Sequence, residues 1–196
     1  MRNQSKIQAL NSLLAFNNQG AKPKQGQTII QDTAYYIVNA LTGSGGIQKL
    51  ITPNTKRDLG VTNFEGNKLN AGKFFTIDGV KISVAYAENG QPWRQSSVSN
   101  VVDYAQDLLD AELVVKQGER ILIKLPVFDI VDSSRNPSSK DNMDFREIST
   151  FPVLAPNEPF EINIEHKSNA IYPTYDPETI KVNVRVDFRG HEFKLV

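Results

Sequence analysis

The amino-acid sequence predicts a mainly β protein: one antiparallel β-sandwich with a short N-terminal amphipathic helix and one interior helix. Three observations lead to this fold class. From residue 63 onward, apolar and polar residues alternate in about eight short runs, which is the period of half-buried strands. Gly, Pro, Asn and Asp separate these runs, as expected for turns between strands. No sequence repeat and no block of charge marks a second domain.

Composition narrows the class of protein. The chain has 196 residues and no cysteine, so disulfides, thiolate metal sites and cysteine nucleophiles are excluded. Its 22 basic and 22 acidic residues cancel, which is not the balance of a nucleic-acid-binding polycation. No apolar run approaches the ~20 residues that cross a bilayer, and the N-terminus lacks the apolar core of a secretory signal. We therefore expect a soluble protein made in the cytoplasm of a cell.

Residues 1–27 are predicted to form a helical arm followed by a flexible connector. Apolar residues at three- and four-residue spacings over 5–17 indicate an amphipathic helix, too short to be stable alone in water. Its apolar stripe consists of Ile7, Leu10, Leu13 and Leu14. The connector is rich in Gly, Pro and Lys and includes Lys22 and Lys24, and no acidic residue precedes Asp32. This positive charge is either chance in a solvated tail or a surface for nucleic acid or lipid headgroups.

The sandwich itself is expected to occupy residues 28–196. Its first segment, 28–41, is rich in β-branched residues and tyrosine but is also long enough for a helix, so both structures stay open. Strands are predicted at 74–77 and 80–86. The Asp78-Gly79 dipeptide between them indicates a hairpin or a bulge.

The second half of the chain continues with one helix and several strands. Apolar residues at helical spacing over 97–109 predict the interior helix. Further strands are predicted at 112–115, 120–125, 160–165, 180–188 and 191–196. Gln117-Gly118 is the expected turn between the first two of these strands, and Arg189-Gly190 is the expected turn between the last two.

No catalytic, cofactor or metal site is predicted. His166 and His191 lie too far apart in sequence for a clustered metal pair, and each is interpreted as an ordinary surface or edge residue. The nucleophile motif Gly-x-Ser-x-Gly and the phosphate-binding Gly-x-x-x-x-Gly-Lys-Ser/Thr are both absent. The polar loop at 133–144 has oxygen ligands for a calcium ion, but the order of an EF-hand is missing. Trp93 lies in a loop, where it either binds a sugar or a partner or folds back over the core.

Residues 62–84, TNFEGNKLNAGKFFTIDGVKISV, resemble an early jelly-roll strand region in capsid proteins of tailless, membrane-containing icosahedral bacteriophages. The strand-and-turn patterns at 111–126, 154–162 and 184–190 are similar in style to the same family. The resemblance implies a single jelly roll that forms trimers or pentamers and lines a shell, with its N-terminal arm directed inward. Capsid proteins of that lineage commonly carry two jelly rolls in tandem, whereas this chain has room for one. Major, minor and vertex roles therefore all stay open.

The expected function is that of a virion structural protein, made in the host cytoplasm, which self-assembles into an icosahedral shell. The expected partners are other copies of the chain, other virion proteins, and lipid or nucleic acid at the arm; no small-molecule substrate and no cofactor is expected. The alternative is a carbohydrate- or partner-binding β-sandwich module, for adhesion or as a minor virion protein, with Trp93, Tyr172 and Tyr175 as its site. An enzyme is not expected, because the usual nucleophile, metal and phosphate signatures are missing.

Overall fold

The computed structural model describes residues 2–16, 28–41, 46–88, 97–99, 106–133, 145–167 and 180–195. Within these ranges the chain forms three helices and ten strands. The helices are α1 (Arg2–Ala15), α2 (Gln106–Leu109) and α3 (Val127–Ser133). The strands are β1 (Thr28–Ala40), β2 (Ile47–Lys49), β3 (Lys73–Glu88), β4 (Ser97–Ser99), β5 (Glu112–Gln117), β6 (Arg120–Pro126), β7 (Arg146–Glu147), β8 (Val153–Leu154), β9 (Phe160–Glu165) and β10 (Ile180–Leu195).

The strands form two antiparallel sheets with the connectivity of a jelly roll. Sheet A has the order β1-β10-β3-β4, with β7 and β8 also paired to β3, and sheet B has the order β2-β9-β5-β6. The pairs nest along the chain: β1 with β10, β2 with β9, β3 with β7 and β8, and β5 with β6. This long hairpin is rolled up so that β10 also meets β3 and β9 also meets β5. The predicted jelly-roll-like β-sandwich is confirmed.

The core lies between the inner faces of the two sheets. On β10, Val184, Val186 and Phe188 are buried in the core, and the residues between them point to the other face of sheet A. On sheet B the core residues alternate in the same way: Leu113, Val115, Ile162 and Ile164. The period-two pattern in the sequence therefore reports which side of each strand is buried.

β3 passes straight through the Asp78-Gly79 dipeptide. Gly79 faces Arg189 while Ile77 faces the next residue of β10, so Asp78 is the extra residue of a β-bulge. Of the two alternatives that the sequence leaves open here, the structure has the bulge. Segment 28–41, also ambiguous in the sequence, contains β1, which pairs with β10 from Thr28 to Ala40.

The predicted turn at Arg189-Gly190 and the separate last strand after it are wrong. β10 runs continuously through Gly190, because β1 and β3 pair with it on both sides. A Cβ atom at position 190 would collide with the backbone carbonyl of Thr76. Glycine at this position therefore reflects the close approach of two strands rather than a turn.

The prediction of a single interior helix over 97–109 is also wrong. Residues 97–99 form β4, which pairs with the edge of β3, and in the described part of this segment only 106–109 is helical. A valine between two serines fits a strand as well as a helical stripe, and pairing with β3 decides between them. The longer interior helix is α3, where Val127, Ile130 and Val131 are buried at helical spacing.

Candidate functional site

The apolar stripe predicted for the N-terminal helix is divided between two sides of α1. Leu13 is fully buried and Leu10 is partly buried, but Ile7 and Leu14 are 59% and 55% exposed. The division follows from helix geometry, because consecutive residues lie about 100° apart around the axis. The helix also begins at Arg2, earlier than the sequence pattern predicts.

α1 packs on the outer face of sheet A. Ala9 and Leu13 contact the rings of Phe74 and Phe193, which point away from the core, together with Phe151 and Val153 from the β8 region. Phe74 precedes Phe75 of the main core, so this end of β3 is buried on both faces. This apolar cluster, which is separate from the main core, joins the helix to the sandwich.

A cluster of ionisable side chains lies beside α1 on the same outer face. Nζ of Lys6 is 3.3 Å from Oδ1 of Asp32, and the same oxygen is 3.0 Å from Nδ1 of His191. Nε2 of His191 is 3.7 Å from Oδ2 of Asp78, whose other oxygen accepts a hydrogen bond from Arg189 at 2.7 Å. Burial raises the pKa of Asp32 while hydrogen bonds from Lys6 and His191 lower it, and the net result lies below its ordinary value.

A histidine between two carboxylates is an arrangement that general-base catalysis uses, but access to the ring decides what it can do. His191 is 4% exposed, and Nε2 is buried without a hydrogen-bond partner in the described structure. Through the ion pair of Lys6 with Asp32, the cluster also connects α1 to the sheet. The sequence interpretation of His191 as an ordinary surface or edge residue missed this burial because its partners are distant in the chain.

A second polar network lies at the end of the sandwich, on the inner side of sheet A. The hydroxyl of Tyr35 donates to Oε2 of Glu192 at 2.6 Å, and Oε1 of Glu192 is 3.2 Å from Lys194 and 3.7 Å from Lys73. Burial is the main cause that raises the pKa of Tyr35. Burial raises the pKa of Glu192 as well. Hydrogen bonds from Tyr35 and Lys194 lower this pKa by more than burial raises it, so the pKa of Glu192 lies below its ordinary value.

A cavity of about 270 Å³ opens next to this network. Its walls are the middle of β1, the start of β3 and the segment 57–70, which pairs with the edge of β1 at Ile37 and Thr62. Tyr35 and Phe64 belong to the lining, and their rings stack on each other 4.9 Å apart. The sequence pattern did not predict this cavity.

The outer face of sheet B carries paired charges. Lys49 and Glu161 are 2.9 Å apart, and further ion pairs join Lys116 to Glu165 and Lys124 to Glu112. These side chains cover Val114 and Asn163, which are buried on this face. The paired side chains are partly exposed to solvent, and ion pairs of this kind contribute little to stability.

Four of the eight exposed large apolar side chains in the described ranges lie on edge strands, and the most exposed of the others is Leu59. Ile29 and Ile30 belong to the edge strand β1, and Ile47 and Ile121 belong to the two edge strands of sheet B. Phe128 on α3 is 52% exposed. Exposed apolar groups of this size at sheet edges are typical of surfaces that contact other molecules.

Several residues singled out in the sequence lie outside the described ranges: Lys22, Lys24, Trp93, Tyr172 and Tyr175. In the described ranges, His, Asp and Glu side chains form no group of three or more that could hold a metal ion. Nor is any helix there long and apolar enough to cross a membrane. No protein-family model matches the chain, and no curated protein matches it.

Proposed function

We propose that the chain is a virion structural protein, a jelly-roll capsid subunit that assembles with copies of itself into an icosahedral shell. The observation that carries this proposal is the nested pairing of the strands in two facing sheets, from β1 with β10 inward to β5 with β6. Viral shells, lectins and cupins all use jelly rolls. Because a fold alone does not identify a function, the choice among these classes depends on the properties of the surface.

The distribution of exposed apolar residues favours assembly. Ile29 and Ile30 lie on one edge of sheet A, and Ile47 and Ile121 lie on opposite edges of sheet B. Copies of one chain that meet edge to edge would bury these side chains at different contacts. Closed rings of subunits need two different surfaces that fit each other, and a subunit with apolar residues on several edges has them available.

The N-terminal helix offers a further contact. Its inner side packs on sheet A through Leu13, while Ile7 and Leu14 project from the rest of the helix. In the proposed shell this exposed side is the arm contact, directed inward to a neighbouring subunit, to lipid or to nucleic acid. Lys6 pairs with Asp32 at 3.3 Å, and both side chains stay exposed to solvent.

Sedimentation velocity over a wide range of protein concentrations tests the proposal, followed by electron microscopy of any large species. We expect a discrete trimer or pentamer, or shell-like particles. A strict monomer at every concentration, with no particles in the presence of lipid vesicles or nucleic acid, would contradict it.

A pair of helix variants then tests the arm contact. Leu14→Lys places a charge on the exposed apolar side of α1, and Gln8→Lys places the same charge at an exposed position about 120° away around the helix. Neither change touches the buried side, so both variants should fold. We expect Leu14→Lys to reduce assembly and Gln8→Lys to leave it unchanged; equal behaviour of the two would exclude the side of α1 that carries Ile7 and Leu14 from the contact.

A further inference from the structure

Hydrogen bonds between the segment 57–70 and β1 fix the walls of the cavity without any ligand. The side-chain oxygen of Asn63 accepts a hydrogen bond from the backbone N–H of Tyr36, and its amide nitrogen donates to the carbonyl of Ala34. The N–H of Val38 donates to the carbonyl of Val61 at 2.8 Å. These bonds fix the segment 57–70 to β1, so the site is formed in advance, as most ligand sites are.

The charges around this cavity are not balanced. Arg57, Lys68 and Lys73 line it, and Glu65 is the one carboxylate in its lining. Lys73 shares Glu192 with Lys194, whereas Arg57 and Lys68 make no ion pair with any residue in the described ranges. Cations that converge on a concave site create a positive potential, which favours an anionic ligand.

The rest of the lining suits a ligand with hydroxyl groups. Thr33 and Asn70 offer neutral polar groups at the rim, and the carboxylate of Glu65 is an acceptor for hydroxyls. The half-buried ring of Tyr35 gives the lining an apolar surface on which a sugar ring can pack, while Phe64, stacked on Tyr35 and 3% exposed, adds almost none. The volume of about 270 Å³ is just below the usual ~300–1,000 Å³ of ligand sites, so the ligand must be small.

We propose that this cavity binds an acidic monosaccharide, a small hydroxylated ring that carries one carboxylate or phosphate group, with Arg57, Lys68 and Lys73 around the anionic group. A sugar carboxylate and a sugar phosphate would both be recognised by these cations, and the binding experiment below distinguishes between them. This binding does not depend on the proposed role in a shell, because it is a property of the single chain.

Titration calorimetry and saturation-transfer NMR on the full chain at low salt test the proposal with four probes: glucuronate, glucose 6-phosphate, glucose and inorganic phosphate. We expect saturable binding of glucuronate or glucose 6-phosphate, and binding of glucose and of inorganic phosphate weaker by about tenfold or more, since each lacks one half of the recognised chemistry. Which acidic sugar binds more tightly identifies the preferred anionic group.

Variants locate the binding. Arg57→Ala and Lys68→Ala each remove one exposed cation from the lining and should weaken binding by about tenfold or more. Lys56→Ala is the matched control, because Lys56 is also exposed, precedes Arg57 in the chain and does not line the cavity. All three changes are at exposed positions and should leave the thermal midpoint unchanged.

Three results would overturn the proposal. The first is no saturable binding of either acidic sugar, and the second is binding that Arg57→Ala and Lys68→Ala leave unchanged. The third is inorganic phosphate binding as tightly as glucose 6-phosphate, which would mean that the site recognises an oxyanion alone. A chain that stays monomeric and yet binds acidic sugars would support this inference and contradict the shell proposal.

Discussion

Truncating one buried leucine of α1 tests whether this helix is an integral part of the sandwich. Leu13 is fully buried against Phe74 and Phe193, so Leu13→Ala leaves a cavity over two rings that the sheet holds in place. Changes of this kind cost about 2–5 kcal/mol. Leu14→Ala removes the same atoms from the next residue, which is 55% exposed, and should cost at most about 1 kcal/mol.

Urea unfolding followed by circular dichroism measures the difference. With a denaturant dependence of about 2 kcal/mol per molar urea, a loss of about 3 kcal/mol lowers the midpoint of Leu13→Ala by roughly 1.5 M. The midpoint of Leu14→Ala should move by less than about 0.5 M. Hydrogen exchange of the α1 amides gives a second measurement, because a helix that leaves the sheet loses protection before the strands do.

Equal midpoints for the two variants would refute the packing described for α1. An unchanged midpoint for Leu13→Ala with fast exchange in α1 alone would mean that the helix separates from the sheet at low cost. The helix would then detach readily from the sandwich, and its apolar side, which packs on the sheet here, could bind a partner as well. If only Leu13→Ala lowers the urea midpoint strongly, the helix stays on the sheet, and Ile7 and Leu14 are its apolar residues that a partner can contact.

Three further changes test other parts of the structure. Tyr35→Phe removes the donor to Glu192 and should cost about 1.5–3 kcal/mol at neutral pH. In the native protein the lowered pKa of Glu192 means that its stabilising effect is present above its ordinary pKa of 4.5 and is lost as the pH falls through the lower folded-state value. Urea titrations from about pH 3 to pH 7 should therefore show a weaker pH dependence in Tyr35→Phe, and an identical slope would contradict the assignment. Gly190→Ala should prevent folding or cost more than about 4 kcal/mol because of the Thr76 carbonyl, as measured by soluble yield and thermal midpoint. Gly79→Ala in the same bulge is its control: the nearest atom to the new Cβ is in the Arg189 side chain at 3.2 Å, so the loss should be smaller. Asn163→Leu removes a buried oxygen that has no hydrogen-bond partner in the described structure, and with it the hydrogen bond from Nδ2 to Glu161 at 3.2 Å. Because that bond is partly exposed, the thermal midpoint should stay unchanged or rise; a clear drop would show that the bond to Glu161 outweighs the unpaired oxygen.

The sequence predicts this fold well where burial follows a period along one strand. The alternation in the last long strand and the turn at Gly118 are examples: over 183–189 β10 buries every second residue, and Gly118 has a φ of 56° between β5 and β6. The errors lie where a distant strand decides the local structure. Gly190 has the composition of a turn, but it is a point of close approach to Thr76, which is 114 positions away in the chain.

The candidate sites are less predictable than the fold, for the same physical reason. The amphipathic helix is visible in the sequence, but which side of it is buried depends on Phe74 and Phe193 in two other strands. The cavity is assembled from β1, β3 and the segment 57–70, and its cations are spread over a stretch with no unusual charge density. A single sequence contains no signal that Arg57 and Lys68 face the same space.

The outer faces of the two sheets are covered in different ways, and this difference limits where a second copy of the chain would bind in the proposed assembly. α1 covers one end of the outer face of sheet A, and ion pairs such as Lys49–Glu161 cover the outer face of sheet B. Ile47 and Ile121 lie on this same face, opposite Glu165 and Lys116 in the strand register, but at its two margins. Burying the charged middle of the face would cost several kcal/mol per ion for desolvation, whereas covering a margin removes an isoleucine side chain from water. In the proposed assembly, contacts at the two margins of sheet B are therefore favoured over contacts across the whole face.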